Sequence, residues 1–226
     1  MQLTYYGHSC FMTEVKGKKL LFDPFITPNE LAKNININDI EADYILLSHG
    51  HADHVADAEA IAKSTGATII AGYEVAVWFA GKGISKYHPM NIGGNRVFDF
   101  GTVKCVNAVH SSNMPDGSYG GNPMGFIIMS DEKNFYYSGD TALTLDMQLI
   151  PMFAKIDFSV MPIGDNFTMG IKDAVEAAKM VGCNTIIGVH YDTFGYIKID
   201  QAKAKDICKN NGIELLLPAI GETIDV

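Results

Sequence analysis

Apolar, β-branched runs recur along the chain at LTYY, CFMTEV, KLLF, DYILLSH, ATIIA, RVFDF, TVKCVNAVH, GFIIMS, NFYYS, DFSVMPI, NTIIGVH and ELLLPA, and most are bounded by Gly, Asp or Asn. Runs of that length and punctuation predict strands. Residues 54–66, 171–182 and 199–212 instead space their apolar positions three and four apart, and each closes at a glycine suited to a C-terminal cap, so these predict helices. Early strands are joined by short turns such as VKGKK, and later ones alternate with helices. The expected fold class is therefore α/β (α+β), with mixed sheets and helices packed outside. No low-complexity stretch, Pro- or Ser-rich linker or short repeat divides the chain, so one domain is expected over residues 1–226.

Composition narrows the function. Of the 226 residues 47% are hydrophobic and 19% charged, which excludes disordered and fibrous classes. Lys plus Arg number 17 against 26 Asp plus Glu, a formal charge of −9, so the field that would attract a nucleic-acid backbone is absent. The four cysteines, Cys10, Cys105, Cys183 and Cys208, form no C-x-x-C pair and lie in apolar surroundings, the pattern of reduced, buried thiols. MQLTYYGHSC lacks the basic and apolar regions of a signal peptide, and no apolar run approaches the ~18 residues of a membrane span. A cytoplasmic protein without a membrane span is expected.

Chemistry concentrates where strands end. Four apolar runs finish in a His or Asp, at ILLSHGHADH, KCVNAVH, FYYSGD and IIGVH, and the ends of strands are where open α/β sheets bind ligands. Residues 49–54 read His49-Gly50-His51-Ala52-Asp53-His54. Alternation after a strand directs His49 and His51 to one side, while Asp53 and His54 open the next helix and face the same point from another direction. Ligand counting then gives two sites, one from His49, His51 and His110, the other from Asp53, His54 and His190. Asp140, following a glycine that permits close backbone approach, can bridge them through its two oxygens. Each metal keeps a position for water. Two divalent ions are expected, with zinc the default for imidazole-rich open sites and Mn or Fe compatible with the same donors.

The order H-x-H-x-D-H, then a single His, a single Asp and a single His, resembles the metal-binding pattern of the metallo-β-lactamase superfamily, and Asp23 in LLFDP matches its early aspartate. Through YYGHSCF, LLSHGHADH, PMNIGG, MPIGDNFTMG and GVHYDTF the chain is similar, more narrowly, to a family of predicted metal-dependent hydrolases of unassigned substrate. That family is related to L-ascorbate-6-phosphate lactonase-like and N-acyl-phosphatidylethanolamine phospholipase D-like enzymes. The resemblance implies a four-layer αββα sandwich with the metals at the sheet edges. It also favours, over a plain strand terminator, a role for Asp23 in accepting hydrogen bonds that hold the histidine cluster in register. Asp165 and Ile171 stand where the family has Gly and Pro, which implies a loop of different shape.

Two metals sharing one water make a hydroxide available near neutral pH. The expected reaction is hydrolysis of an ester-like bond in a small molecule (ester, lactone or phosphodiester), with Asp53 orienting or deprotonating the water; His8, between two strand-like runs, is equally suited to a structural place and to the substrate pocket, where it would protonate the leaving group. A redox centre is the alternative, weakened because His51 stands where the diiron oxygen-reducing branch carries Glu. A closed metal store would need four protein ligands per ion, and nuclease action would need more basic surface than patches such as Lys82 and Lys86 supply. Asn166, Phe167 and Thr168 are expected to line the pocket, with Thr168 equally suited to cap the next helix. His88 reads as a surface residue or one supporting the ligands from behind, Trp78 and the 11 methionines as core. A homo-oligomer is compatible with all of this.

Overall fold

In the computed structural model, which describes residues 1–226, the first three apolar runs form an antiparallel meander of β1 (Gln2–Gly7), β2 (Cys10–Val15) and β3 (Lys18–Phe22). Alternate side chains of β1 are buried, as a strand with one covered face requires. The β2–β3 hairpin turns on Lys16 and Gly17, both left-handed (φ 50° and 70°), the geometry that matches strand twist in a two-residue turn. The chain then runs in parallel crossovers through β4 (Tyr44–Leu47), α1 (Ala52–Val55), α2 (Ala58–Thr65), β5 (Thr68–Gly72), α3 (Tyr73–Gly81) and β6 (Tyr87–Met90). A second antiparallel group follows, β7 (Asn95–Phe98), β8 (Gly101–Asn107), β9 (Met124–Met129) and β10 (Phe135–Tyr137). Parallel crossovers complete it through β11 (Phe158–Pro162), α4 (Ile171–Val181), β12 (Thr185–Val189), α5 (Gln201–Asn210) and β13 (Glu214–Leu216), and β14 (Thr223–Asp225) returns to β1.

The two seven-stranded sheets run β14-β1-β2-β3-β4-β5-β6 and β13-β12-β11-β10-β9-β8-β7. Three apolar clusters define the layers. One joins the facing sides of both sheets, from Phe11, Phe22 and Ile70 to Phe126, Tyr137 and Val160. The second packs the outer face of the first sheet against α1, α2 and α3, and the third packs the second sheet against α4 and α5. This is the four-layer αββα sandwich. At its centre Phe11 and Phe22 stack at 4.4 Å with Tyr137 edge-on at 5.1 Å from Phe11, and burying each ring stabilises the fold by about 1.5–3 kcal/mol. Tyr137 spans the apolar core, and its hydroxyl emerges on Asp23.

The elements depart from the sequence expectation where local pattern is weak. The helix expected over 54–66 is split by Asp57, whose buried carboxylate accepts the backbone N–H groups of Ile26 (2.6 Å) and Thr27 (2.9 Å) and so pins a neighbouring loop. Helix α3 escaped the periodicity reading because its apolar residues leave no single polar face. The short edge strands β6 and β14 also went unread. Gly66 and Gly182 close α2 and α4 at φ 72°, as expected. Trp78 sits at the edge of the core: it packs half-buried against the second cluster, its indole N–H donates to Asp116 at 2.7 Å, and the Lys82 ammonium lies 4.2 Å from its ring centre. All four cysteines are buried and free. No helix is long and apolar enough to cross a membrane.

Candidate metal centre

The carboxyl ends of the parallel strands gather at one edge of the sandwich. Asp23 follows β3, the segment Ser48 to His51 follows β4, Asp140 comes three residues after β10 and His190 directly after β12. Helix α1 contributes Asp53 and His54, and the turn between β1 and β2 contributes His8. Strand β8 stops at Asn107, so His110 lies in the following loop rather than at a strand end. His8, Asp23 and His190 hold left-handed backbones (φ 53°, 41° and 55°) that non-glycine residues seldom adopt. Such strain concentrates at functional sites. Gly139 meets the close-approach expectation: a Cβ there would lie 2.8 Å from Ser48 Cβ and 2.9 Å from the Met124 carbonyl oxygen.

Every expected ligand is in this cluster. His49, His51 and His110 bring one donor atom each within 4.8 Å of one another, and Asp53, His54 and His190 do the same together with His8. His49 Nε2 and His51 Nδ1 face each other at 2.9 Å. Asp140 Oδ2 lies between the groups, 3.7 Å from His110 Nε2, 3.2 Å from His54 Nε2 and 3.0 Å from His190 Nε2. Behind them Asp23 is wholly buried and accepts four hydrogen bonds, from Ser48 N (2.8 Å), Ser48 Oγ (2.5 Å), His54 Nδ1 (2.8 Å) and Tyr137 Oη (2.5 Å). Ser48 Oγ, its proton given to Asp23, accepts from His49 Nδ1 at 3.0 Å. One carboxylate thereby leaves the Nε2 atoms of both His49 and His54 turned to the centre. Ser48 and Tyr137 went unread in the sequence, since neither bears a metal donor.

Electrostatics fit the donor set. Burial holds the His49, His51 and His110 imidazoles below the ordinary histidine value. For Asp140, burial favours the neutral acid, but the His54 and His190 rings outweigh it and keep the carboxyl well below its usual range. Asp53 is likewise held low against burial, by the His8 hydrogen bond and the His54 charge. His54 goes the other way: despite burial, Asp140 and Asp23 raise it well above 6.5. Neutral imidazoles and ionised carboxylates are the states a divalent cation needs, and His54 carries the proton it would displace. Two polar atoms of the cluster, His54 Nε2 and Asp140 Oδ1, are buried without a hydrogen-bond partner, a cost that coordination would remove. The residues fit a metal.

The cluster opens into a cavity of about 710 Å³ lined by His51, Asp53, His110, Asp140 and His190, with Ser111, Thr193 and the rings of Phe167, Phe194 and Tyr196. Of the three expected pocket residues only Phe167 lines it; Asn166 faces a neighbouring depression, and Thr168 neither lines the cavity nor caps α4, whose N-cap is Gly170 without a side-chain bond. His8 is buried, with Nε2 3.1 Å from Asp53 Oδ2 and Nδ1 3.0 Å from Thr193 Oγ1. His88 is remote, packed edge-on against Phe98 at 5.2 Å.

Known proteins resemble this chain along its whole length. Residues 2–190 match the beta-lactamase superfamily domain. A "UPF0173 metal-dependent hydrolase" of Christiangramia forsetii is 54% identical over 227 residues, covering 100% of both chains, and the YtkL protein of Bacillus subtilis, described in the same words, is 43% identical over 231 residues with 100% of both covered. The solved structure of Igni18, a metallo hydrolase from the archaeon Ignicoccus hospitalis, superposes with a TM-score of 0.89 at 34% identity, covering 99% of this chain and 97% of that one.

Proposed function

The chain belongs to the metallo-β-lactamase superfamily and is a metal-dependent hydrolase, and from that premise we propose that it holds two divalent cations and cleaves an ester-like bond in a small molecule. His49, His51 and His110 would hold one ion, Asp53, His54 and His190 the other, with Asp140 bridging. Zinc is the first choice for so many imidazoles, and Mn or Fe suit the same donors. The observation that carries the reading is Asp140 Oδ2 lying within 3.7 Å of nitrogens from both histidine groups beside an open cavity. Ions held there would supply an ionised water near neutral pH and would polarise the bond under attack.

The protein's own groups supply direction. Asp53, about a quarter exposed, reaches into the cavity as an ionised carboxylate and can orient the attacking water or accept its proton. His8, expected to protonate the leaving group, is better suited to holding Asp53. Burial pushes its ring down to about 4, so the neutral ring donates from Nε2 to Asp53 and accepts at Nδ1 from Thr193, leaving no proton for a substrate. The buried free cysteines favour a reducing cytoplasm, and the net charge of −9 disfavours nucleic acid as substrate. The test is metal content by elemental analysis of protein purified without chelator, paired with a screen of carboxyl esters, lactones and phosphodiesters. Two ions per chain and one active class above an Asp53→Ala control are expected. A single ion in metal-saturated protein refutes the paired centre, and a blank screen refutes the bond class.

A further inference from the structure

Two loops build the outer wall of the cavity: residues 164–170, between β11 and α4, and residues 190–197, after β12. They present Phe167, Phe194 and Tyr196, which remain 50%, 37% and 79% exposed although each is a large apolar ring. Phe167 and Tyr196 stand edge to face at 6.1 Å, and Phe194 leans on His8 and Phe25. Neither loop is slack. Asp165, Asn166 and Asp192 hold left-handed backbones (φ 60°, 61° and 61°). Asp165 Oδ1 accepts from Asn166 N at 2.8 Å, and Asp192 accepts from Ile199 N and Gln201 Nε2, both at 2.9 Å. Rings left this exposed by well-fixed loops contribute little to the core, and preorganised aromatic surface is what binds an apolar group at least entropic cost.

Charge points the same way. No Lys or Arg lines the cavity, and the single arginine, Arg96, sits on β7. Lys172 and Lys198 line a separate depression beyond Tyr196. A phosphate-bearing substrate would ordinarily meet a cation beyond the metals.

We propose that the substrate is an uncharged carboxylic ester or lactone carrying an apolar group of about ring size beside the scissile bond, clasped by Phe167, Phe194 and Tyr196. This rests on the hydrolytic reading of the centre and adds the substrate class. The probes are 3-phenylpropanoate and propanoate, carboxylates that differ only in the ring, with phenyl phosphate as the anionic rival. Each is titrated calorimetrically into the zinc-loaded protein and into its Phe167→Ala/Tyr196→Ala double variant, which should keep the wild-type melting temperature and zinc content because both side chains are exposed. The wild type should bind 3-phenylpropanoate about tenfold tighter than propanoate, the effect of burying one ring face, and the double variant should lose that preference to within about twofold. Equal affinity for the two carboxylates, a preference that survives the double substitution, or tighter binding of phenyl phosphate overturns the proposal. Ring-selective binding without hydrolysis of any phenyl ester or lactone would leave the clasp standing and refute the bond class; hydrolysis indifferent to the ring would do the reverse.

Discussion

Asp23→Asn tests how one buried carboxylate governs both halves of the centre. Asp23 Oδ2 receives His54 Nδ1, Ser48 Oγ and Tyr137 Oη, and Ser48 passes its acceptor oxygen to His49 Nδ1. Asparagine keeps the shape but presents an NH2 where three donors converge, or else faces it at Ser48 N. The hydroxyls of Ser48 and Tyr137 can turn to accept. His54 can accept only by moving its remaining proton to Nε2, which removes it as a ligand, and a reversed Ser48 forces the same change on His49. The substitution should weaken metal binding at both sites by about 10–100-fold, the usual effect of losing a ligand's orienting partner. Two lost hydrogen bonds to a charged group, at about 1.5 kcal/mol each, should cost about 3 kcal/mol of stability, a fall of about 6–12 °C in Tm for a chain of this size. Competition with a fluorescent chelator reads the affinities. Ser48→Ala should weaken only the site that includes His49, and Tyr137→Phe should leave both within about threefold while costing about 1 kcal/mol. Wild-type affinity in Asp23→Asn, or equal losses in all three variants, would refute the tautomer argument.

Asp140→Ala removes the carboxylate whose Oδ2 lies within 3.7 Å of Nε2 atoms from both histidine groups, so elemental analysis should find both ions lost or loosely held; full occupancy would show the bridge assignment to be wrong. His8→Ala should cut turnover at least about tenfold with metal content intact, because its ring reaches Asp53 and Thr193; loss of metal would move His8 into the coordination shell. Acidification should destabilise the chelator-treated protein. Burial lowers His8 to about 4 and holds His49, His51 and His110 below 6.5, so the unfolded chain takes up their protons first and stability falls below that value. His54, raised despite burial by Asp140 and Asp23, contributes stability that is present below 6.5 and lost above its folded value, the opposite sense. Four groups against one set the sign, and a Tm that fails to drop between about pH 7.5 and about 5.5 would refute it.

The donors were legible because metal chemistry restricts residue type: three histidines and an aspartate within His49 to His54 have few other uses, and a His or Asp just past an apolar run is visible without coordinates. The second layer was less legible because its members are ordinary. Tyr137 reads as one more apolar residue of a buried strand, yet it lies 114 residues from Asp23 and donates to it across the core. His8 was seen as a site residue, but the contact that decides its work, with Asp53 45 residues away, depends on how the β1–β2 turn seats against α1.

The loop at 164–170 is the instructive case, because there conformation and residue identity part company. The resemblance read from the sequence implies Gly and Pro at the positions of Asp165 and Ile171. A left-handed backbone at φ 60° is what glycine supplies freely, and here Asp165 supplies it with its own side chain fixed on Asn166 N. Ile171 is the first residue of α4, the position at which proline is preorganised and other residues are merely tolerated. Both departures therefore fall at positions where the backbone asks for the replaced residue, and a bulkier side chain meets the demand at a cost. Gly170 is coupled to the same residue: a Cβ there would approach the Asp165 carboxyl to 3.1 Å, so a side chain at 170 requires Asp165 to shift by a few tenths of an ångström. The loop carries Phe167 to the cavity through backbone geometry that the sequence expressed only as an exception.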